Sequence, residues 1–245
     1  MKITKKILSL ILAMVICFTS VPLAFATDAD IVVEDTTAPS EGEVTQPEAQ
    51  PGVPEEEPPQ EPETSEPLQN NDIVATLYVF YDKSDIHGSG HTWIYIENIT
   101  DQELMVGVYP LPPNEGVSVG TLPEYDGWGL YYNIEAYQQG IYGMEDQLSM
   151  KEDITLKELR RVSNFIVSYP NFWDPVFFNC MLFAFLAWDM GSWKILLPLI
   201  FPIIGKIQML IYPHETGALM KPVTKDKVYR QTGMFGWAGL MPYDT

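Results

Sequence analysis

The feature that most limits what this chain can fold into is an abrupt change of composition near residue 71. Residues 27–71 contain thirteen acidic residues and eight prolines but no lysine or arginine, and large apolar side chains are scarce after Val44. Such a segment cannot bury enough apolar surface to offset the entropy of ordering it, and proline and like charges keep it extended. We therefore predict a disordered acidic linker at 27–71, acting as a stalk or simply as a solubilising segment, and a globular domain at 72–245.

Residues 1–26 have the organisation of a secretory signal peptide. Three lysines within the first six residues precede the apolar run Ile7 to Phe18, which is too short to span a bilayer comfortably. The small-residue pattern Ala24-Phe25-Ala26 follows, and we place the cleavage site after Ala26. The alternative is an uncleaved N-terminal anchor. The sequence thus predicts a protein that is secreted or displayed at the cell surface.

Charge limits the partners of the domain. The formal net charge of the chain is −19, and the part after the linker is still acidic and has no basic cluster. This argues against nucleic acid and against anionic membrane surfaces as partners. The apolar segment Ile195 to Ile211 is interrupted by Pro198, Pro202 and Gly205, which favours a buried or amphipathic element over a membrane span. We expect one domain, no integral span in the mature form, and a monomer.

The order of predicted elements indicates an α+β domain. Alternating and β-branched or aromatic residues predict a mainly antiparallel sheet in the first half. The predicted strands are Ile73–Tyr81, His91–Glu97, Leu104–Tyr109, Gly116–Gly120 and Gly129–Tyr137.

Two helices are predicted to follow the strands. Thr155 and Glu158 form a capping-box pattern, and the apolar stripe of this helix ends before Pro170. The stripe consists of Leu156, Leu159, Val162 and Ile166. A second helix is predicted to begin at Asn179-Cys180 and to end near Gly191. Because it is apolar on every side, we expect it to be buried in the middle of the domain, with the sheet packed on it.

Cys180 is the cysteine that remains after signal-peptide cleavage, since Cys17 lies in the apolar run, so the mature chain can form no internal disulfide. An odd cysteine in an exported protein indicates an intermolecular bridge or a reactive thiol, while the alternative is an inert buried thiol. At the first turn of a helix, with Asn179 as its cap, a thiolate is stabilised by backbone N–H groups and the helix dipole. The position therefore favours a nucleophile.

A nucleophilic thiolate needs a proton acceptor, and His91 is the best placed of the three histidines. It opens a strand directly behind Gly88-Ser89-Gly90, which leaves room for a substrate. The alternative is a surface histidine. His87 and His91 have Asp82 and Asp85 as their only neighbouring ligands, and their spacing matches no specific metal motif. We predict no metal and no cofactor.

The two segments resemble the motifs of the circularly permuted papain-like thiol hydrolases, which include the lecithin retinol acyltransferase-like enzymes and permuted relatives of cell-wall endopeptidases. His91-Thr92-Trp93-Ile94-Tyr95-Ile96 looks like their histidine strand. Asn179-Cys180-Met181-Leu182-Phe183 resembles their Asn-Cys-x-x-Phe motif at the start of the central helix. The resemblance implies a permuted papain-like fold, with Cys180 as nucleophile and His91 as base.

The resemblance departs at the third polar residue, which in those enzymes lies on the strand after the histidine strand. The stretch from Val108 to Leu111 offers only Tyr109, and Asn133 or Glu135 on the later predicted strand are the alternatives. Without a polar residue to orient His91, activity would be impaired or absent.

The residues and the resemblance together predict a cysteine-dependent hydrolase or acyltransferase that acts on amide or ester bonds through an acyl-enzyme at Cys180. Export makes cell-envelope peptides a natural substrate. The alternative is a non-catalytic surface domain that keeps the fold and binds glycan or peptide in an aromatic groove. Candidates for that groove are Trp93, Trp128, Tyr131 and Tyr132, which can equally be core residues.

Overall fold

A computed structural model describes residues 66–82, 90–122, 129–143, 147–170, 179–196, 207–217, 220–233 and 237–243. The chain divides into two units, Met1–Gln60 and Glu61–Thr245, and all described residues belong to the second unit. The predicted signal peptide and residues 27–65 of the predicted linker lie outside the described ranges.

An antiparallel eight-stranded sheet forms the centre of the domain, in the order β10-β9-β6-β5-β2-β1-β7-β8, and β3 and β4 pair separately as a small hairpin. The fold is therefore α+β, as the sequence predicts. The strands are β1 Ile73–Asp82, β2 His91–Asn98, β3 Leu104–Val106, β4 Tyr109–Leu111, β5 Gly116–Leu122, β6 Gly129–Tyr132, β7 Leu148–Thr155, β8 Glu215–Thr216, β9 Tyr229–Thr232 and β10 Gly239–Pro242. The helices are α1 Ile134–Tyr142, α2 Leu156–Ser168 and α3 Cys180–Gly191.

Both faces of the sheet are covered, because successive side chains of each strand point to opposite sides. On β2, Ile94 and Ile96 face the main core, which includes buried residues of α2 and α3. Trp93 and Tyr95 face a second cluster that includes Ala136 of α1. At the start of β2, helix α3 from one face of the sheet and helix α1 from the other both approach the same strand.

Both predicted helices are confirmed. Thr155 caps α2 as half of a complete capping box with Glu158, and the buried positions of α2 are the four that the apolar stripe predicts. The second helix, α3, begins at Cys180 and ends at Gly191, with Asn179 as its cap. Most of α3 is buried, which is the environment that its apolar composition predicts.

Two predicted strands differ from the structure. The segment predicted as one strand at Leu104–Tyr109 forms the two short strands of the β3–β4 hairpin. The strand predicted at Gly129–Tyr137 ends at Tyr132, and α1 takes up its second half. Asn133, in the left-handed region with φ of 68°, separates the two elements. Since Asn tolerates this conformation better than most residues, it can end a strand abruptly at this point.

The last residues of the predicted linker contact the domain. Leu68 packs against the main core. The Lys157 N–H donates to the carbonyl oxygen of Asn70 at 3.0 Å, and Arg160 donates to the Asn70 side chain at 2.6 Å. The residues just before Asp72 are therefore packed on the domain.

The apolar segment Ile195 to Ile211 is described only at its two ends, and residues 197–206 lie outside the described ranges. In the part of the chain that is described, no helix has both the length and the apolar character needed to cross a lipid bilayer.

Candidate active site

Cys180 occupies the first position of α3, where peptide N–H groups have no partners within the helix. Asn179 caps this end: its side-chain oxygen accepts the Leu182 N–H at 2.9 Å, and its carbonyl oxygen accepts the Phe183 N–H at 3.1 Å. The Met181 N–H donates to the Cys180 sulfur. The cap thus fixes the helix start and leaves the sulfur among backbone donors.

His91 is the first residue of β2, and the start of this strand meets the start of α3. Gly90 precedes it with φ of 83°, and a Cβ at Gly90 would lie 2.8 Å from the Tyr81 hydroxyl oxygen, so glycine is required there. The Thr92 N–H donates to the Cys180 sulfur. Backbone donors of two separate elements therefore converge on one thiol.

The side chains of Cys180 and His91 are hydrogen-bonded to each other, and this contact shifts the pKa of both. Burial alone would raise the pKa of Cys180, but the bond to His91, the positive charge of its ring and the two backbone N–H donors lower it below the ordinary thiol value. Burial alone would lower the pKa of His91, but hydrogen bonds to Cys180 and Glu135 raise it to about 10. Both shifts favour a thiolate paired with an imidazolium.

Solvent reaches this pair although most of its surroundings are buried. Cys180 is partly exposed, and the His91 side chain is 12% exposed. The imidazole stacks on the Trp93 indole, with ring centroids 5.2 Å apart and planes inclined by 21°. The flat contact with a fully buried indole restricts rotation of the imidazole.

Glu135 is the carboxylate that holds the other side of the imidazole. Its Oε1 lies 3.1 Å from Nε2 of His91, which leaves Nδ1 to face Cys180. Glu135 lies in the first turn of α1 and is fully buried. Its second oxygen, Oε2, accepts a hydrogen bond of 2.8 Å from the Ser118 hydroxyl on β5.

The other two candidates for the third residue, Tyr109 and Asn133, contact each other. The Asn133 amide donates to the Tyr109 hydroxyl at 3.1 Å and to the Lys227 carbonyl oxygen at 3.0 Å. The Asn133 side-chain oxygen accepts the Ser118 N–H at 3.3 Å. Both residues therefore support the start of α1, and of the three candidates it is Glu135 that contacts His91.

The strand predicted at Gly129–Tyr137 includes Glu135, but this residue lies in the helix α1. The helical pattern was present: Ile134, Tyr137 and Ile141 recur at spacings of three and four residues. Ser118 was also missed, because an isolated serine in an apolar strand carries no motif that marks it.

Of the two other histidines, the structure describes His214, which does not contact Cys180 or His91. His214 is exposed, and its Nδ1 lies 3.0 Å from the carbonyl oxygen of Tyr212. His87 and Asp85 lie outside the described ranges, as do Gly88 and Ser89. Within those ranges, no group of three His, Cys, Asp or Glu side chains is arranged to hold a metal ion.

The chemistry of the site must be judged from its own geometry, since no protein family, curated protein or solved structure matches this chain. The geometry joins a thiol at a helix N-terminus, an imidazole and a buried carboxylate in one chain of contacts. A thiolate kept reactive by an oriented base is the arrangement required for attack on a carbonyl carbon.

Proposed function

We propose that this chain is an exported cysteine hydrolase or acyltransferase that cleaves amide or ester bonds through an acyl-enzyme at Cys180. The observation that carries the proposal is the contact series from Cys180 to His91 to Glu135. Each group has the role that nucleophilic catalysis requires: the thiolate attacks, the imidazole transfers protons, and the carboxylate orients the imidazole.

In the first half-reaction, the Cys180 thiolate attacks the carbonyl carbon of the substrate and forms a C–S bond. The carbonyl oxygen becomes an oxyanion, and we assign its stabilisation to the backbone N–H of Cys180, which has no acceptor within α3. The oxyanion then collapses, the bond to the leaving amine or alcohol breaks, and the His91 imidazolium gives its proton to the leaving group. A thioester on Cys180 and a neutral imidazole remain.

In the second half-reaction, water or an acceptor alcohol or amine attacks the thioester carbon. His91 takes the proton of the attacking group, the C–S bond breaks, and the thiolate–imidazolium pair is restored. Attack by water makes the chain a hydrolase, and attack by another acceptor makes it a transferase. The groups of the site serve both outcomes, and the acceptor decides between them.

The finer fold assignment that fits this proposal is the permuted papain-like one. His91 on a strand precedes Cys180 at the start of a buried helix, and strands β3 to β7 and helices α1 and α2 lie between them in the sequence. With the predicted signal peptide, this order favours cell-envelope peptides as substrates. Transfer of a lipid acyl group uses the same chemistry at the same atoms.

Three of the four aromatic residues predicted to line the groove of a non-catalytic binding domain are buried. Trp93, Tyr131 and Tyr132 are at most 2% exposed and belong to the interior. Trp128 lies outside the described ranges. A binding groove thus cannot be built from the three aromatic side chains that are described.

The pH dependence of Cys180 alkylation tests the proposal directly. In the chain from residue 27 onward, Cys180 is the one cysteine, so iodoacetamide labelling reports on this site alone. We expect rapid labelling well below the ordinary thiol pKa of about 8.5, and a slower, ordinary titration in His91→Ala. His214→Ala, which removes an exposed histidine, is the matched control and is expected to label like the wild type. Labelling of the wild type as an ordinary thiol would refute the proposal.

A further inference from the structure

We infer that Ser118 is a positioning residue that, together with the space above Gly120, holds the Glu135 carboxylate in the orientation that His91 requires. The inference rests on the proposed function and extends it to the residues that hold Glu135. The groups that react are Cys180 and His91, whereas Ser118 and Gly120 act through Glu135.

The direction of the Ser118 hydrogen bond follows from its partners. The Ala136 N–H donates to the Ser118 hydroxyl oxygen at 3.3 Å, so that oxygen already serves as an acceptor. The hydroxyl proton is therefore available for Oε2 of Glu135, 2.8 Å away, and a carboxylate oxygen can only accept it. Ser118 and Glu135 are both fully buried, so water does not compete for this bond.

Gly120 provides the room in which the carboxylate lies. A Cβ at position 120 would lie 1.9 Å from Oε1 of Glu135 and 3.2 Å from Cβ of Trp93. Side chains two residues apart on a strand point to the same face, so Ser118 and Gly120 share one face of β5. One position supplies the donor for Oε2, and the other supplies the gap for Oε1.

The backbone of Ser118 also fixes the helix that carries Glu135. Its N–H donates to the Asn133 side-chain oxygen at 3.3 Å, and its carbonyl oxygen accepts the Asn133 N–H at 2.8 Å. Asn133 immediately precedes α1, and Glu135 is the second residue of that helix. Ser118 thus contacts both the carboxylate and the residue that sets where the helix begins.

The test compares four variants by the midpoint pH of Cys180 alkylation and by the His91 pKa from NMR. Ser118→Ala removes the donor, Gly120→Ala fills the gap, and Glu135→Gln removes the charge. Thr121→Val is the matched control: it removes a buried β5 hydroxyl on the opposite face that has no hydrogen-bond partner among the described residues. Circular dichroism and thermal unfolding confirm that each variant is folded.

We expect Ser118→Ala to label about fivefold more slowly than the wild type at mildly acidic pH, the ratio corresponding to one net hydrogen bond. Its midpoint should lie between those of the wild type and Glu135→Gln, Gly120→Ala should shift in the same direction, and Thr121→Val should match the wild type. If Glu135→Gln raises the midpoint while Ser118→Ala and Gly120→Ala do not, the inference is wrong and the proposed function stands. If the wild type itself titrates as an ordinary thiol, both are wrong.

Discussion

Nε2 of His91 lies 3.1 Å from Oε1 of Glu135. This carboxylate comes from helix α1, which follows β6, rather than from the strand that follows β2 in the sequence. The contact fixes which ring nitrogen remains for Cys180. It also places a buried acceptor opposite the ring that carries the proton between the two half-reactions. The pair therefore predicts how the imidazole itself titrates.

The His91 imidazole is expected to stay protonated until the pH approaches its pKa of about 10. Burial disfavours the charged ring, but the interactions with Cys180 and Glu135 stabilise it more strongly. Cys180→Ser removes the thiolate, and Glu135→Gln removes the carboxylate, so each should lower the pKa of His91. Imidazole NMR shifts recorded from mildly acidic to strongly alkaline pH measure the change. An unaltered His91 titration in both variants would contradict the contact series, and assignment by His91→Gln identifies the resonance.

Two substitutions of Asn179 are expected to affect helix stability and thiol reactivity separately. Asn179→Ala removes the side-chain acceptor of the Leu182 N–H and is expected to lower the free energy of unfolding by about 1 kcal/mol. Asn179→Asp keeps a good cap and should retain most of that stability. Its negative charge beside Cys180 disfavours the thiolate, so labelling should be slower at low pH.

Urea unfolding and alkylation rates measured on the same two variants check this prediction. The expected pattern is a stability loss in Asn179→Ala and a reactivity loss in Asn179→Asp. If Asn179→Asp labels as fast as the wild type at mildly acidic pH, the sulfur is not sensitive to charge at this end of α3, and the prediction is wrong.

The parts of the fold that the sequence predicts well are those fixed by local contacts. The capping box of Thr155 and Glu158 and the cap at Asn179 are made within four residues of the helix start, so their patterns are readable in the chain itself. The same locality placed Cys180 correctly at the first position of α3. The thiolate that this position favours also depends on His91, which comes from a distant strand.

The parts of the fold that local sequence patterns do not predict depend on contacts between distant segments. Strand β7 carries charged residues at 151–153 and is held by pairing with β1 along most of its length. Glu135 is separated from His91 by 44 residues, and the choice among Tyr109, Asn133 and Glu135 depends on how α1 packs over β5. No local pattern contains that information.

Alanine substitutions at two helical glycines should change the free energy of unfolding in opposite directions. At Gly191, at the end of α3, a Cβ would lie 2.7 Å from Leu77 and 3.1 Å from Val162, so Gly191→Ala overpacks the core and should destabilise by about 1–3 kcal/mol. At Gly140 in α1, the nearest atom would be Pro222 Cβ at 3.5 Å. Gly140→Ala should therefore stabilise by up to about 1 kcal/mol, since alanine favours the helix. Thermal unfolding of the two variants measures both signs, and destabilisation by Gly140→Ala would contradict the packing.

Asp189 should make the stability of the domain depend on pH. Its carboxylate accepts the Leu196 N–H at 2.9 Å, but burial raises its pKa to about 6. Because this folded-state pKa lies above the ordinary value of 3.8, the group's contribution to stability is full below about pH 4 and is lost as the pH rises through about 6. Asp189→Asn keeps an acceptor for Leu196 without the charge. Its urea midpoint, relative to that of the wild type, should therefore increase between about pH 4 and pH 7.5. If the difference between the two urea midpoints does not change with pH, burial does not disfavour the charged form of Asp189, and the prediction is wrong.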